Sequence, residues 1–321
     1  MKKFVLFLLI SSSVIRSNAQ EEIKGYKQCF ALGDDHGKSM MILREFEKSG
    51  KSCYLAVDPV SLETKIISAG EIKTKPASDW QNAAELKNSP YLKAIQTAKQ
   101  QSIALQDAGI SHGFPKEKGI TLTIDLCPSH KALDRVIFTS LIAEFQKTEK
   151  PVPLALSITG KFMLNHAADI EWLKGLEKSG DLNITWTNHT FNHHYDPKIP
   201  LNSNFLLEPG TSINYEILAT EVMMIQKGLV PSIFFRFPGL VSDQKLVDEV
   251  LTYGLIPIGT DAWLAKGQKT HSGSIVLIHG NGNEPTGVQD FIQLLKTEKQ
   301  SVVNKQWLLY DLRESIKDEF K

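Results

Sequence analysis

From Gly119 onward, short apolar runs alternate with amphipathic stretches, and this alternation limits the possible folds more than any other feature. The runs at 120–124, 152–158, 182–185, 233–235, 255–258 and 274–278 read as strands: most are rich in β-branched and aliphatic residues. Between the first two, Leu133, Val136, Ile137, Leu141, Ile142 and Phe145 recur at helical spacing. Ile170, Leu173 and Leu176 mark a second helix, which Gly180 ends. Further helical stretches cover 213–227, the segment through Leu246, Val247 and Val250, and the segment through Val288, Phe291, Ile292 and Leu295. Short loops between such units imply parallel strands with right-handed crossovers. About seven units predict an α/β fold, a distorted (β/α) barrel of about seven parallel strands over residues 118–321.

Upstream, residues 20–117 read as a small β-rich extension followed by a helix. Strands are expected at 52–57 and 65–68 with a turn at Asp58-Pro59, and Ser89-Pro90 opens a helix reaching to about Asp107. Asp34, Asp35 and His36, between Gly33 and Gly37, are read as a solvated turn rather than a metal site. Cys29 and Cys53 could pair, leaving Cys127 free, or all three could be buried thiols. At the start, Lys2 and Lys3 precede the apolar run 4–10, and Ser17-Asn18-Ala19 supplies small residues before Gln20. This predicts a cleavable secretory leader over 1–19 and a secreted or periplasmic protein, the apolar run being too short to span a bilayer. Losing Lys2, Lys3 and Arg16 takes the 36 basic and 36 acidic residues to 33 and 36, a net charge of about −3. That balance argues against nucleic-acid and anionic-membrane partners, and no later stretch reads as membrane-spanning.

Parallel α/β folds gather their chemistry at the carboxyl ends of the strands. The positions read there are unusually polar: Asp125, His189 and His193, Arg236 with Pro238, Asp261 with Trp263, and Leu277 with His279. Convergent titratable groups at one rim are how an active site is recognised. His189 and His193 are four apart, so one helical turn would stack both imidazoles, the commonest protein ligands for a first-row divalent ion.

These residues, in order and spacing, resemble the polysaccharide deacetylases, carbohydrate esterase family four, also called the chitooligosaccharide deacetylase homology domain. His189-Thr190-Phe191-Asn192-His193 fits the family's His-[Ser/Thr]-x-x-His metal motif, and Arg236-Phe237-Pro238 its Arg-x-Pro. Asp261-Ala262-Trp263 is similar to its Asp/Trp motif, and Leu277-Ile278-His279 fits its Leu-x-His. Thr123-Ile124-Asp125-Leu126-Cys127-Pro128 aligns imperfectly with Thr-Phe-Asp-Asp-Gly-Pro. The resemblance spans residues 118–300 and implies metal-dependent removal of N-acetyl groups from a polysaccharide or peptidoglycan-type glycan. It implies His189 and His193 as ligands of a divalent metal, zinc foremost, with cobalt or nickel also compatible with imidazole. It further implies Asp125 as general base, Arg236 as its orienting partner, and His279 as acid supported by Asp261. Pro238, Trp263 and Leu277 would line the substrate side, the last two around the acetyl methyl.

One departure bears on the chemistry. Leu126 stands where the family has its second Asp, a metal ligand. Three completions of the shell are open: water or another side chain such as His130, Asp125 itself, or the Cys127 thiolate. The thiolate is the least favoured, because a free Cys is more often a small core residue; strand alternation placing Asp125 and Cys127 on one face is its support. The alternative function is a deacetylase-like barrel that has lost turnover and binds glycans. A serine-esterase reading of His279-Gly280 fails for want of a Gly-x-Ser-x-Gly elbow.

Overall fold

The computed structural model describes residues 21–101, 105–114 and 118–317; the leader expected at 1–19 lies outside them. Five N-terminal strands, β1 (Ile23–Asp35), β2 (Lys38–Lys48), β3 (Lys51–Val57), β4 (Thr64–Ser68) and β5 (Lys73–Pro76), form an antiparallel sheet in the order β4-β3-β2-β1-β5. The β1–β2 turn is closed by the Gly37 amide donating to Asp34 Oδ1 (2.9 Å), as turn chemistry requires. Cys29 on β1 and Cys53 on β3 are separated by β2, a spacing of roughly 10 Å that exceeds disulfide reach. Both are free thiols, as is Cys127.

Helix α1 (Pro90–Gln100) starts where Ser89 Oγ accepts from the Leu92 amide, with Pro90 in the first turn. It ends at Gln100, short of the Asp107 expected from the sequence. Asp107 instead adopts a left-handed backbone (φ 63°) in a connector that runs along the barrel. There the Ile110 amide donates to Pro257 O, and the Gly113 amide to Gly273 O. Gly109 (φ 92°) crosses so close that a Cβ would lie 2.2 Å from Pro257 O.

The second sheet contains β6 (Gly119–Leu126), β7 (Val152–Ile158), β8 (Leu182–Asn188), β9 (Phe234–Phe235), β10 (Ile256–Pro257), β11 (Ala262–Trp263), β12 (Ile275–His279) and β13 (Leu308–Leu309). All pairings are parallel, in the order β10-β9-β8-β7-β6-β12-β11, with β13 added beside β6. Seven strands thus curl into a half-barrel. Helices α2 (Arg135–Phe145), α3 (Gly160–Asn165), α4 (Ala167–Lys178), α5 (Ile213–Gln226), α6 (Gln244–Thr252), α7 (Pro285–Val303) and α8 (Leu312–Lys317) surround it. None of the described helices is long and apolar enough to cross a membrane.

Two large cores hold these layers together. One packs Leu122, Ile124 and Leu126 of β6 against Ile137, Phe138 and Leu141 of α2. The other joins Met41, Leu43, Trp80 and Tyr91 of the N-terminal region to Phe234, Phe235, Val247 and Leu255 of the barrel. The extension therefore shares an interior with the barrel. Arg44, fully buried, bridges the two regions: Nε and Nη2 pair with both carboxylate oxygens of Glu221 on α5 (2.8 and 3.0 Å), and Nη1 donates to Tyr253 O. Buried charge is tolerated only when paired and hydrogen-bonded in this way.

Register sets the rim. His279 lies opposite Asp125 across β12 and β6, and Asp125 lies opposite Ser157 across β6 and β7. Asn188 on β8 lies opposite Phe235 on β9, so the segments that follow both strands emerge at the same level.

Candidate metal centre and catalytic site

On β6, period-2 alternation sends Ile124 and Leu126 outward into the core against α2, and Thr123, Asp125 and Cys127 inward. Leu126 is fully buried and carries no polar atom toward the rim. Cys127, two residues beyond Asp125, reaches the two histidines. Its Sγ lies 3.6 Å from His189 Nε2 and 3.5 Å from His193 Nε2.

The histidines are delivered by an irregular loop. The helical turn expected after the strand does not form, because Thr190 (φ 70°) and His193 (φ 48°) are left-handed. The loop is held from outside by α5: Glu216 Oε2 accepts from the Phe191 and Asn192 amides (both 2.8 Å), and Glu216 Oε1 from Asn192 Nδ2 (2.7 Å). Gly160, at the start of α3, lets Phe191 approach to where a Cβ would stand, 2.2 Å from the ring. The imidazoles meet edge to face with centroids 4.7 Å apart. His189 Nδ1 is 2.9 Å from Arg236 O; a carbonyl only accepts, so Nδ1 carries the proton and Nε2 offers its lone pair toward Cys127.

Cys127, His189 and His193 have their donor atoms within 4.8 Å of one another. For a tetrahedral zinc ion, bonds of about 2.3 Å to sulfur and about 2.0–2.1 Å to nitrogen put the two ligand atoms about 3.5–3.6 Å apart. The observed separations, 3.6 and 3.5 Å, fit that donor set. Of the three completions open from sequence, the thiol is the one whose donor atom lies within about 3.6 Å of both imidazoles. His130 is exposed and outside this cluster, and Asp125 stands beside it. Burial would raise the Cys127 thiol, but the His193 and His279 imidazoles nearby hold it well below the usual thiol range. A depressed thiol is the form that coordinates metal.

Asp125 is nearly fully buried, with Oδ2 3.6 Å from His189 Nε2 and Oδ1 3.9 Å from Arg236 Nε. Arg236, fully buried, donates from Nη2 to Thr123 Oγ1 at 2.8 Å. Burial lowers its pKa, while Asp125 and Asp107 oppose that and keep it cationic. Asp107, from the connector, is a second carboxylate acting on this arginine electrostatically, without an ion-pair contact, and the sequence reading did not single it out.

His279 is placed on the other side of the thiol. Its Nδ1 is 2.7 Å from Glu284 Oε2, at ion-pair distance though outside hydrogen-bond angles. Trp263 Nε1 donates to the same oxygen at 2.8 Å. Burial would lower the His279 pKa, but the Cys127 thiolate, Glu284 and Asp125 push it well above the ordinary imidazole value. Glu284 is the carboxylate missed from sequence. Its signal was modest: an acid five residues after His279 and directly before Pro285, which opens α7.

Asp261 does not take the supporting role expected of it. It precedes β11 at the level of Ile275, whose amide it accepts (3.1 Å), at the opposite end of β12 from His279. Its Oδ2 faces His112 Nδ1 and His271 Nε2. Trp263 and Leu277 do come together with Leu240 in a small apolar cluster, and Pro238 opens the single helical turn that carries Leu240. A cleft of about 570 Å³ lies above the site, bordered by Cys127, His193, Tyr195, Phe205, Trp263 and His279. Tyr195, half exposed, stacks on Phe205 at 4.9 Å and forms one wall.

Among family models, one described as the RP012 protein N-terminal domain matches residues 24–104, the N-terminal sheet and α1. Among solved structures, the chain is similar to a family 4 carbohydrate esterase from Bacillus anthracis, at 17% identity and a TM-score of 0.46, over 69% of this chain and 90% of that one. It is also similar to PdaA, a family 4 carbohydrate esterase of Bacillus subtilis: 17% identity, TM-score 0.45, 68% of this chain and 95% of that one. BA3943, a CE4 family pseudoenzyme from Bacillus anthracis, shares 15% identity at a TM-score of 0.45, over 66% of this chain and 70% of that one. The solved structures similar to this chain thus include carbohydrate esterases of family 4 and a pseudoenzyme among them.

Proposed function

We propose that the chain is a metal-dependent amide hydrolase that removes N-acetyl groups from a polysaccharide or peptidoglycan-type glycan outside the cytoplasm. The observation that carries this reading is the Cys127, His189 and His193 triangle lying between a buried carboxylate, Asp125, and a proton-bearing imidazole, His279. Amide hydrolysis needs carbonyl activation, a deprotonated water and a proton for the leaving nitrogen. Cys127, His189 and His193 would hold a divalent ion, which when bound would supply Lewis acidity at that point. Asp125, whose Oδ2 lies 3.6 Å from His189 Nε2 beside the triangle, takes a proton from the attacking water. The water oxygen adds to the amide carbon, the carbon–nitrogen bond breaks, and the His279 imidazolium protonates the departing amine, leaving acetate. Arg236 sets its positive charge beside Asp125 in its buried position, and Glu284 with Trp263 fixes and charges His279. The Leu240, Trp263 and Leu277 cluster supports a small apolar site for the acetyl methyl, and the exposed Tyr195 ring a face for a sugar.

The test is acetate release from N-acetylglucosamine oligomers with and without a chelator, together with elemental analysis of wild type and His189→Ala. The expected result is chelator-sensitive release, with metal lost from His189→Ala. Metal bound without acetate release would leave the glycan-binding alternative; equal metal content at the rim in both proteins would remove His189 from the site.

A further inference from the structure

We infer a second divalent-metal site at the opposite end of the barrel, formed by His112, Asp261 and His271. The three come from three separate segments: the connector, the turn entering β11, and the loop entering β12. Asp261 Oδ2 lies 2.7 Å from His112 Nδ1 and 3.2 Å from His271 Nε2, and all three donor atoms fall within 4.8 Å of one another. Asp261 Oδ1 is already occupied by the Ile275 amide, which fixes the carboxylate so that Oδ2 alone faces both rings. A ligand oxygen oriented by a backbone donor is the support that metal sites use.

The two imidazoles are also held. His112 pairs with Ser274 as a β-bridge, and Gly273 leaves the space its ring needs, since a Cβ there would stand 2.6 Å from Nε2. The His271 amide donates to Ser274 Oγ (3.0 Å), and the rings lie nearly parallel, 18° apart with centroids at 5.3 Å. Two nitrogen donors and one oxygen suit zinc or a neighbouring ion of the Irving–Williams order, with solvent completing the shell beside the exposed His271. An ion here would tie the connector to the barrel where the two meet at Gly113 and Gly273. The site shares no residue with the rim centre, so it stands or falls independently of the proposed function.

The experiment is zinc titration of the full chain followed by isothermal calorimetry, in wild type, His271→Ala, His112→Gln, His189→Ala and the His189→Ala/His271→Ala double variant. His271 is largely exposed, so its variant folds. Wild type should take up two equivalents, His271→Ala and His112→Gln one each, and the His189→Ala, His271→Ala double variant none. Hydrogen exchange at residues 105–114 should slow on zinc addition in wild type and not in His271→Ala. Unchanged stoichiometry and unchanged exchange protection in His271→Ala would overturn the site, whatever becomes of the rim centre.

Discussion

Replacing Arg44 by Ala should destabilise the protein by about 3–5 kcal/mol, the range for breaking a buried ion pair by removing one partner. The structure places this case at the severe end. Arg44 is fully buried and fills both carboxylate oxygens of Glu221, and its loss leaves that carboxylate with the Tyr26 hydroxyl (2.9 Å) as its remaining hydrogen bond. It also strands the carbonyls of Leu43 and Tyr253, which accept from Nη1. For a chain of this size each kcal/mol lowers Tm by roughly 2–4 °C, so the expected fall is about 6–20 °C. Calorimetry and urea unfolding on wild type, Arg44→Ala, Glu221→Gln and Arg44→Met/Glu221→Gln would measure it. The double variant buries no unpaired charge and should recover at least half of the loss. A loss under about 1 kcal/mol in Arg44→Ala, or strictly additive effects, would refute the clamp between extension and barrel.

Two further outcomes follow from the rim and one from a buried carboxylate elsewhere. Asp125→Asn should lower acetate release by about 10²-fold or more while leaving zinc affinity within a few-fold, since Asp125 stands outside the ligand triangle; parallel turnover and zinc titrations check this. Glu284→Gln removes an anion that keeps His279 protonated, so the alkaline limb of the kcat profile should move to lower pH. Away from the site, burial pushes Glu177 up to about 7, against a hydrogen bond from Trp186. Its folded pKa exceeds its unfolded one, so the native chain binds the extra proton between about pH 4.5 and 7 and stability falls as pH rises through that window. Because Glu177 is partly solvated, Glu177→Gln should gain only about 1–2 kcal/mol at pH 8 and little at pH 4, measured by urea unfolding.

The barrel was legible because its strands are buried on both faces and read as continuous apolar runs, as in Val152–Ile158, where every residue is buried. Asp125 and His279 lie in the last two positions of a strand and His189 and Arg236 directly after one, which is why the alternation of runs drew attention to them. What the sequence could not display was contact between segments. Asp261 sits in the expected motif, yet the strand that follows it is short and pairs with β12 at Ala262 and Val276, which leaves its carboxylate at the far end. Glu284 reaches His279 only because the β12–α7 loop folds back. Cys127 is disfavoured from sequence because a free Cys is more often a small core residue, although its alternation with Asp125 already points inward; the left-handed loop at Thr190 and His193, which brings both imidazoles near its sulfur, has no sequence signature of its own.

The third ligand is where the account is most exposed, and X-ray absorption at the zinc edge addresses it directly. On His271→Ala protein loaded with one equivalent of zinc, a single sulfur at about 2.3 Å should accompany nitrogen or oxygen neighbours at about 2.0–2.1 Å, and Cys127→Ala should lack the sulfur shell. A shell of nitrogen and oxygen alone in the Cys127-containing protein would contradict the thiolate centre and the hydrolase built on it.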